Sequence, residues 1–435
     1  MDAISIAEAL RITSGTNAYQ QKLMSCLALS CFAFSSFLFN LPFLLLDSPS
    51  AKNITNEFFL FEENYVIRVR IKYCFLAGIP VGGLALSYIS DKFGRKVVLQ
   101  NLLMWEIVFL VFAAISFTPG FLIINCFLLG FIVFTGISVC FLYIFESADS
   151  GLMTFNAARL IVMIFLSYVL ASEVNCFGFS WRLILLGNAG LAWVSLCLLK
   201  KNFESVEWLW YTGRKDEAES ALTKIAEING KDEIVELLES NFDSKIGVFT
   251  LRFLCLSVLW VNFWVAGLMF KQLTDDFFFD HSMDQNYLAS AGIVLSSTFA
   301  MFVPLRSFLR FWTVELIAYR GWFVLLNLMS NRVFKILLFH IVPGFLSYEL
   351  IILSVLTKIE LKTTFKNTGL AVLSLVTGLI SVFIYATLLL EQEIGLFYIT
   401  IFFLILTSVF SACYLKKFYY NSLYSPLSQD SQVRD

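Results

Sequence analysis

The residues best equipped for chemistry stand in one ten-residue run, Ser87-Tyr88-Ile89-Ser90-Asp91-Lys92-Phe93-Gly94-Arg95-Lys96. Gly94 permits a backbone conformation that other residues avoid. Asp91 can face a helix N-terminus, and Arg95 can reach acids on a neighbouring helix. Taken alone, the run fits a generic basic loop as well as it fits a tight turn with a task. Three further charges, Glu106, Arg320 and Glu349, lie inside apolar stretches. A charge at the centre of a bilayer costs roughly 2.5–3.5 kcal/mol on insertion scales, so each needs a reason. Glu349 reads as a substrate or proton site, or as the partner of another helix; Glu106 and Arg320 read as paired or snorkelling side chains. Metal and redox chemistry have little to work with. The nine cysteines are scattered through apolar runs without ligand or redox spacing, and the histidines are only His281 and His340. No nucleophile, base or metal cluster is visible, so an enzyme is not expected and no cofactor is implied.

The elements that carry these residues follow from composition. Hydrophobic residues make up 58% of the 435 positions and charged residues 15%, against roughly 45–50% and 25% in soluble domains. A bilayer is the solvent that fits. A net charge of −2 with no basic surplus excludes nucleic acid as a partner. At about 20 apolar residues per crossing, the chain divides into spans at Leu23–Leu46, Val66–Ser90, Val97–Phe117, Phe121–Phe145, Thr154–Val174, Trp181–Leu199, Val248–Phe270, Asn286–Ser307, Phe311–Leu328, Val333–Thr357, Asn367–Leu390 and Ile394–Leu415. The uncharged stretch from Ile107 to Phe145 is too long for one helix, and Pro119-Gly120 is the expected point of return.

Lysines and arginines set the orientation. With the N-terminus inside, the cytoplasmic segments hold Arg11, Lys22, Lys92, Arg95, Lys96, Lys200, Lys201, Arg214, Lys215 and a similar set in the second half, whereas Asp275, Asp276, Asp280 and Asp284 gather outside. The expected organisation is a cytoplasmic N-terminus (1–22), a six-helix bundle (23–199), linker helices (200–247), a second six-helix bundle (248–415) and a cytoplasmic tail (416–435). Leu222, Ile225, Ile234, Leu237 and Leu238 fall on helical spacing in the linker, as for amphipathic helices on the inner surface.

The run from Ser87 to Lys96 resembles the Gly-x-x-x-Asp-Arg-x-Gly-Arg-Lys signature of the major facilitator superfamily, with Ser87 in the place of its first glycine. Two other segments resemble the organic ion transporter family of solute carriers. Glu204-Ser205-Val206-Glu207-Trp208-Leu209, followed by Gly213-Arg214, Glu217-Ala218 and Leu222 to Ala226, matches one string of that family, with Phe203 in place of a proline and Glu207 in place of an arginine. Glu360-Leu361-Lys362-Thr363-Thr364-Phe365-Lys366-Asn367-Thr368-Gly369 matches a second, one residue short and without its proline. Tyr143, Glu146, Thr154-Phe155 and Trp181-Arg182 are smaller matches in the right order.

The resemblance implies an all-α membrane protein of twelve transmembrane helices in two six-helix bundles, the major facilitator fold. It implies transport of a small organic solute, an organic ion or zwitterion, by alternating access, at the plasma membrane. By position, Asp91, Gly94, Arg95, Lys96 and Glu146 inherit the family's conformational latch. Asn40, Asn262, Trp264 and Glu349, on the first, seventh and tenth spans, are candidates for the substrate cavity. The eleventh span has no charge where the family often places one, which favours a neutral or weakly polar substrate. Asn53-Ile54-Thr55, in the short cysteine-free external loop Asp47–Tyr65, is a glycosylation acceptor on the expected side. Met153 stands where the family has an arginine, which keeps open a non-transporting relative that acts as a receptor or assembly partner. A sugar carrier of the same fold is a further alternative, although Leu251–Leu268 lacks glutamine and Lys416–Ser422 lacks a Pro-Glu-Thr motif.

Overall fold

Ten helices hold most of the residues described in the computed structural model. It describes residues 18–45, 53–61, 64–148, 152–231 and 366–390, together with Ala9, Ile12 and scattered positions in 254–263, 349–357 and 409–413. In chain order they are α1 (Ala18–Leu44), α2 (Ile54–Glu57), α3 (Tyr65–Phe93), α4 (Arg95–Ala114), α5 (Pro119–Ser147), α6 (Met153–Cys176), α7 (Trp181–Leu199), α8 (Val206–Tyr211), α9 (Lys215–Ile228) and α10 (Lys366–Leu390). Six of them, α1 and α3 to α7, are long and apolar enough to cross a membrane. These coincide with the first six expected spans to within a few residues at each end.

Local chemistry explains the boundaries. Gly94 separates α3 from α4 without an intervening residue. The expected return at Pro119-Gly120 lies slightly earlier: α4 ends at Ala114, and Pro119 already occupies the first turn of α5 behind the N-cap Thr118. Ser180 caps α7 in the same way, its Oγ accepting from the amide of Leu183. The external segment expected as a loop contains the single turn α2.

Two compact units are present, one formed by Met1–Ser244 with Leu361–Val372, the other by Lys245–Glu360 with Leu373–Asp435. The opening turns of α10 therefore belong to the first unit. Within it, α3 packs most extensively on α5, α1 on α6 and α4 on α7, with α1 also touching α5 and α7. The α3–α5 contact is made by glycines. An added Cβ at Gly78 would lie 2.2 Å from the Phe127 carbonyl oxygen, at Gly82 1.7 Å from that of Phe131, and at Gly130 2.0 Å from that of Phe75. The two backbones touch with no side chain between them, the usual means of close helix approach where lipid supplies no hydrophobic driving force. Linker helices α8 and α9 lie where amphipathic helices were expected, with Leu222 and Ile225 buried. Asn229, just beyond α9, accepts from the Tyr19 amide and donates to Gln20 Oε1, which ties the linker to the start of α1.

In the second unit, the described residues place Trp260 and Thr357 together, the indole N–H donating to Thr357 Oγ1 at 3.0 Å. Glu349 is 2% exposed there.

Candidate functional site

Gly94 sets the geometry of the site. Its φ of +105° suits glycine, and a Cβ would meet Glu204 Oε2 at 2.6 Å. The sharp reversal leaves the first amides of α4 without intrahelical acceptors, and Glu204 supplies one. Its Oε1 accepts from the Arg95 and Lys96 amides at 2.9 Å each. Burial raises the Glu204 carboxyl above the usual carboxylate range, while the amides of Lys96, Ser205, Arg95 and Val97 pull it down.

Arg95 is wholly buried and engages two acids. Its Nε and Nη2 donate to the two oxygens of Glu146 at 3.1 and 3.0 Å, a bidentate fork, and Nη1 donates to Asp91 Oδ1 at 2.7 Å and to the Ser90 carbonyl at 2.9 Å. Asp91 then grips the start of α10. Its Oδ2 accepts from Thr368 N at 2.8 Å and Thr368 Oγ1 at 2.6 Å, and its Oδ1 accepts from Asn367 N at 3.2 Å. A carboxylate at this position satisfies unpaired N–H groups and complements the positive end of the helix dipole. Ser138 Oγ, on α5, donates to Asn367 Oδ1 at 2.8 Å.

The linker closes the cluster from the other side. Ser205 caps α8 and donates its hydroxyl to Glu146 Oε2 at 2.9 Å, and the Trp208 indole donates to the Asp91 carbonyl at 2.9 Å. Lys366 Nζ meets Glu207 Oε1 at 2.6 Å, with the two side chains 4% and 15% exposed. The arginine that the family motif carries at position 207 would set like charges against Lys366; glutamate makes an ion pair instead.

Asp91, Gly94, Arg95 and Glu146 are thus brought together as the sequence suggested, and Lys96 contributes its main-chain N–H. The sequence reading gave no role to Glu204, Ser205, Glu207, Trp208, Lys366 or Thr368. All six stand in the family strings, but motif order carries no information about which strings touch.

Of the expected cavity residues, Asn40 belongs to the first unit and Glu349 to the second. Asn40 is buried, donates to the Ser36 carbonyl at 2.8 Å and accepts from Asn175 Nδ2 at 3.0 Å. It borders a cavity of about 410 Å³ between α1, α6 and α7. Asn262 and Trp264, like Arg320, lie outside the described residues. Glu106 departs from the expected pairing or snorkelling: it is 1% exposed in α4, with no hydrogen bond to its Oε2 and no ion pair among the described residues. Asn53 lies at the start of α2. It is 4% exposed and its Oδ1 caps α2 by accepting from Asn56 N at 2.9 Å.

Solved structures share this fold. The proton:xylose symporter XylE bound to 6-bromo-6-deoxy-D-glucose superposes with a TM-score of 0.69 at 16% identity, over 93% of this chain and 95% of that one. XylE from E. coli in a partially occluded inward-open conformation gives 0.61 at 15% identity, over 92% and 98%. Among sequence relatives, the organic cation transporter protein of Drosophila melanogaster is 26% identical over 174 residues, 39% of this chain. Solute carrier family 22 member 27 of Mus musculus is 25% identical over 179 residues, 41% of this chain. The matched stretch spans about a third of either relative, 31% and 32% of their lengths. The family model for sugar (and other) transporters matches residues 23–305. A multi-pass membrane protein with the major facilitator fold, matched over well more than half its length, this chain belongs to the sugar (and other) transporter family, a family of transporters and not of enzymes.

Proposed function

We propose that the chain moves a small organic solute across the plasma membrane by alternating access, using twelve helices in two bundles bounded at 23–199 and 248–415, with both termini cytoplasmic. The observation that carries this reading is the buried cluster Arg95–Asp91–Glu146 gripping the first turn of α10. Its contacts are of a kind that can open and reform: charge-assisted hydrogen bonds to the end of one helix. Membership of a transporter family supports the same reading, as do relatives whose names specify organic cation or steroid transport. In α10 no charge follows Lys366, which favours a neutral or weakly polar solute over a strongly charged one. Solute leaves through repacking of the bundles, and the driving force is the solute gradient or a coupled ion.

Met153 favours one alternative, a non-transporting relative. It lies at the first turn of α6, 7% exposed, where the family carries an arginine. Purified protein in liposomes, offered labelled organic cations, anions, zwitterions, neutral steroids and sugars, separates the readings. Saturable uptake of one organic class is expected, with Asp91→Asn reducing the rate at unchanged reconstitution yield. Uptake of sugars alone would move the assignment to a sugar carrier, and no uptake of any class would favour the receptor reading.

A further inference from the structure

An aromatic stack joins three segments of the first unit where α1 begins and α7 ends. The Tyr19 ring stacks on that of Phe203 with centroids 5.6 Å apart, and Lys224 Nζ, on α9, lies 5.9 Å from the centre of the Phe203 ring. The Phe203 amide donates to Tyr19 Oη at 3.2 Å, which fixes the pair. Three more lysines stand beside it. Lys22 is one turn along α1 from Tyr19, and Lys200 and Lys201 directly follow Leu199, the last residue of α7. Lys22, Lys200, Lys201 and Lys224 are all exposed, and among the described residues none makes a side-chain hydrogen bond or an ion pair. Other cations of the same unit are engaged: Arg214 with Glu217, Lys231 with the Ile12 carbonyl and Lys366 with Glu207. Nearby acids are not aimed at the four. Glu204 turns its carboxylate to the amides of α4, and Glu227, one turn beyond Lys224, is exposed without an ion pair among the described residues. A bias of lysines toward one side of the membrane accounts for their number. It does not account for their convergence, unpaired, from three segments on one stack.

The patch sits at the edge of the apolar layer. Helix α1 has no charge after Lys22 and α7 none between Arg182 and its end, so both run into hydrocarbon directly from the lysines. On α7, Trp193, Val194 and Leu198 are exposed and lead up to Lys200. Exposed large apolar side chains on a membrane-spanning helix form a face suited to acyl chains. We propose that Lys22, Lys200, Lys201 and Lys224 bind the headgroup of a phosphoinositide, several phosphates meeting several cations while the acyl chains lie along the Trp193–Leu198 face. A cluster of roughly four to eight cations beside a membrane helix is the composition that recognises anionic headgroups, each lysine contributing about fivefold in affinity. Soluble inositol phosphates offer the same phosphate chemistry; the apolar face beside the lysines favours the lipid. The site is separate from the transport reading above, and its test reads binding without transport.

The probe is phosphatidylinositol 4,5-bisphosphate with a diazirine in one acyl chain, photolysed at trace level with the full-length protein in phosphatidylcholine nanodiscs. The expected result is crosslinking to the last turns of α7 or the first turns of α1. Each of Lys22→Gln, Lys200→Gln, Lys201→Gln and Lys224→Gln should reduce labelling about fivefold, and the four together should bring it to background. Arginine at the same four positions should retain it, which separates loss of charge from loss of fold. Arg214→Gln with Lys215→Gln removes two cations elsewhere on the linker and should leave labelling unchanged. A second arm offers labelled inositol trisphosphate to the same nanodiscs, and no lysine-dependent binding is expected. Binding that disappears with the four Lys→Gln changes would assign the patch to a soluble phosphate compound and overturn the lipid. Crosslinks elsewhere, equal labelling by a diazirine phosphatidylcholine, or loss in the arginine set would also overturn the site. So would labelling indifferent to the four Lys→Gln changes, or equally sensitive to the Arg214 and Lys215 pair.

Discussion

Arg95 shows what a single residue type contributes. Its planar fork holds Glu146 with two parallel bonds and spends its remaining nitrogen on Asp91 and Ser90. A lysine could supply the charge but not this geometry. The ion pair Glu207–Lys366 is the more informative test, because its glutamate departs from the family string while its geometry is sound. Glu207→Arg would place two cations in a largely buried site, and Lys366→Glu two carboxylates. Each single change should lower thermal stability, and the double exchange should recover most of it, with a coupling of about 1–3 kcal/mol. Melting by size-exclusion chromatography of the four proteins measures that coupling. Additive losses would mean that the contact contributes nothing of its own.

Helix packing sets the next scale. Gly78 and Gly82 stand four residues apart on α3, one turn above the other, and Gly130 faces them from α5. The sequence reading passed over them, since a glycine in an apolar run can mark a turn, a kink or a contact. The distances decide among these. Gly82→Val would drive a branched side chain into the Phe131 backbone, and separating the helices would open voids along both. Monodisperse yield of Gly82→Val should fall severely, and Gly78→Val should behave alike, whereas Gly120→Ala should remain near normal because nothing lies within 4 Å of its added Cβ. Equal yields for Gly82→Val and Gly120→Ala would show that the α3–α5 approach is looser than these distances state. Helix ends were more legible than helix contacts. Thr118, Ser180 and Gly94 act on their own neighbours, and the first six spans emerged from the chain within a few residues of their observed limits.

For the whole molecule, the distribution of lysine and arginine is the argument. Cytoplasmic segments of the proposed topology hold most of them, including Lys22, Lys92, Lys96, Lys200 and Lys201. Asn64, at the start of α3 and exposed, lies on the opposite side in that topology. Cysteine introduced there should react with a membrane-impermeant maleimide on intact cells, in a background whose native cysteines are replaced. An epitope tag at residue 1 should be stained only after permeabilisation. Staining of that tag on intact cells would reverse the orientation.

The sequence by itself determined that the chain lives in a bilayer, where its first six helices run, and which residues form the turn at Gly94. These follow from composition, from the period of apolar runs and from the conformational needs of single residues, all of which act over short distances along the chain. It also contained the strings that meet at Arg95, each recognisable alone. Only the tertiary structure decided that Glu204 caps α4, that Asp91 closes on Thr368 and that Glu207 pairs with Lys366. Contacts between residues more than a hundred positions apart depend on how whole helices dock, and docking is set by the summed shape of many small surfaces such as the glycine seam of α3 and α5. No local pattern encodes that sum.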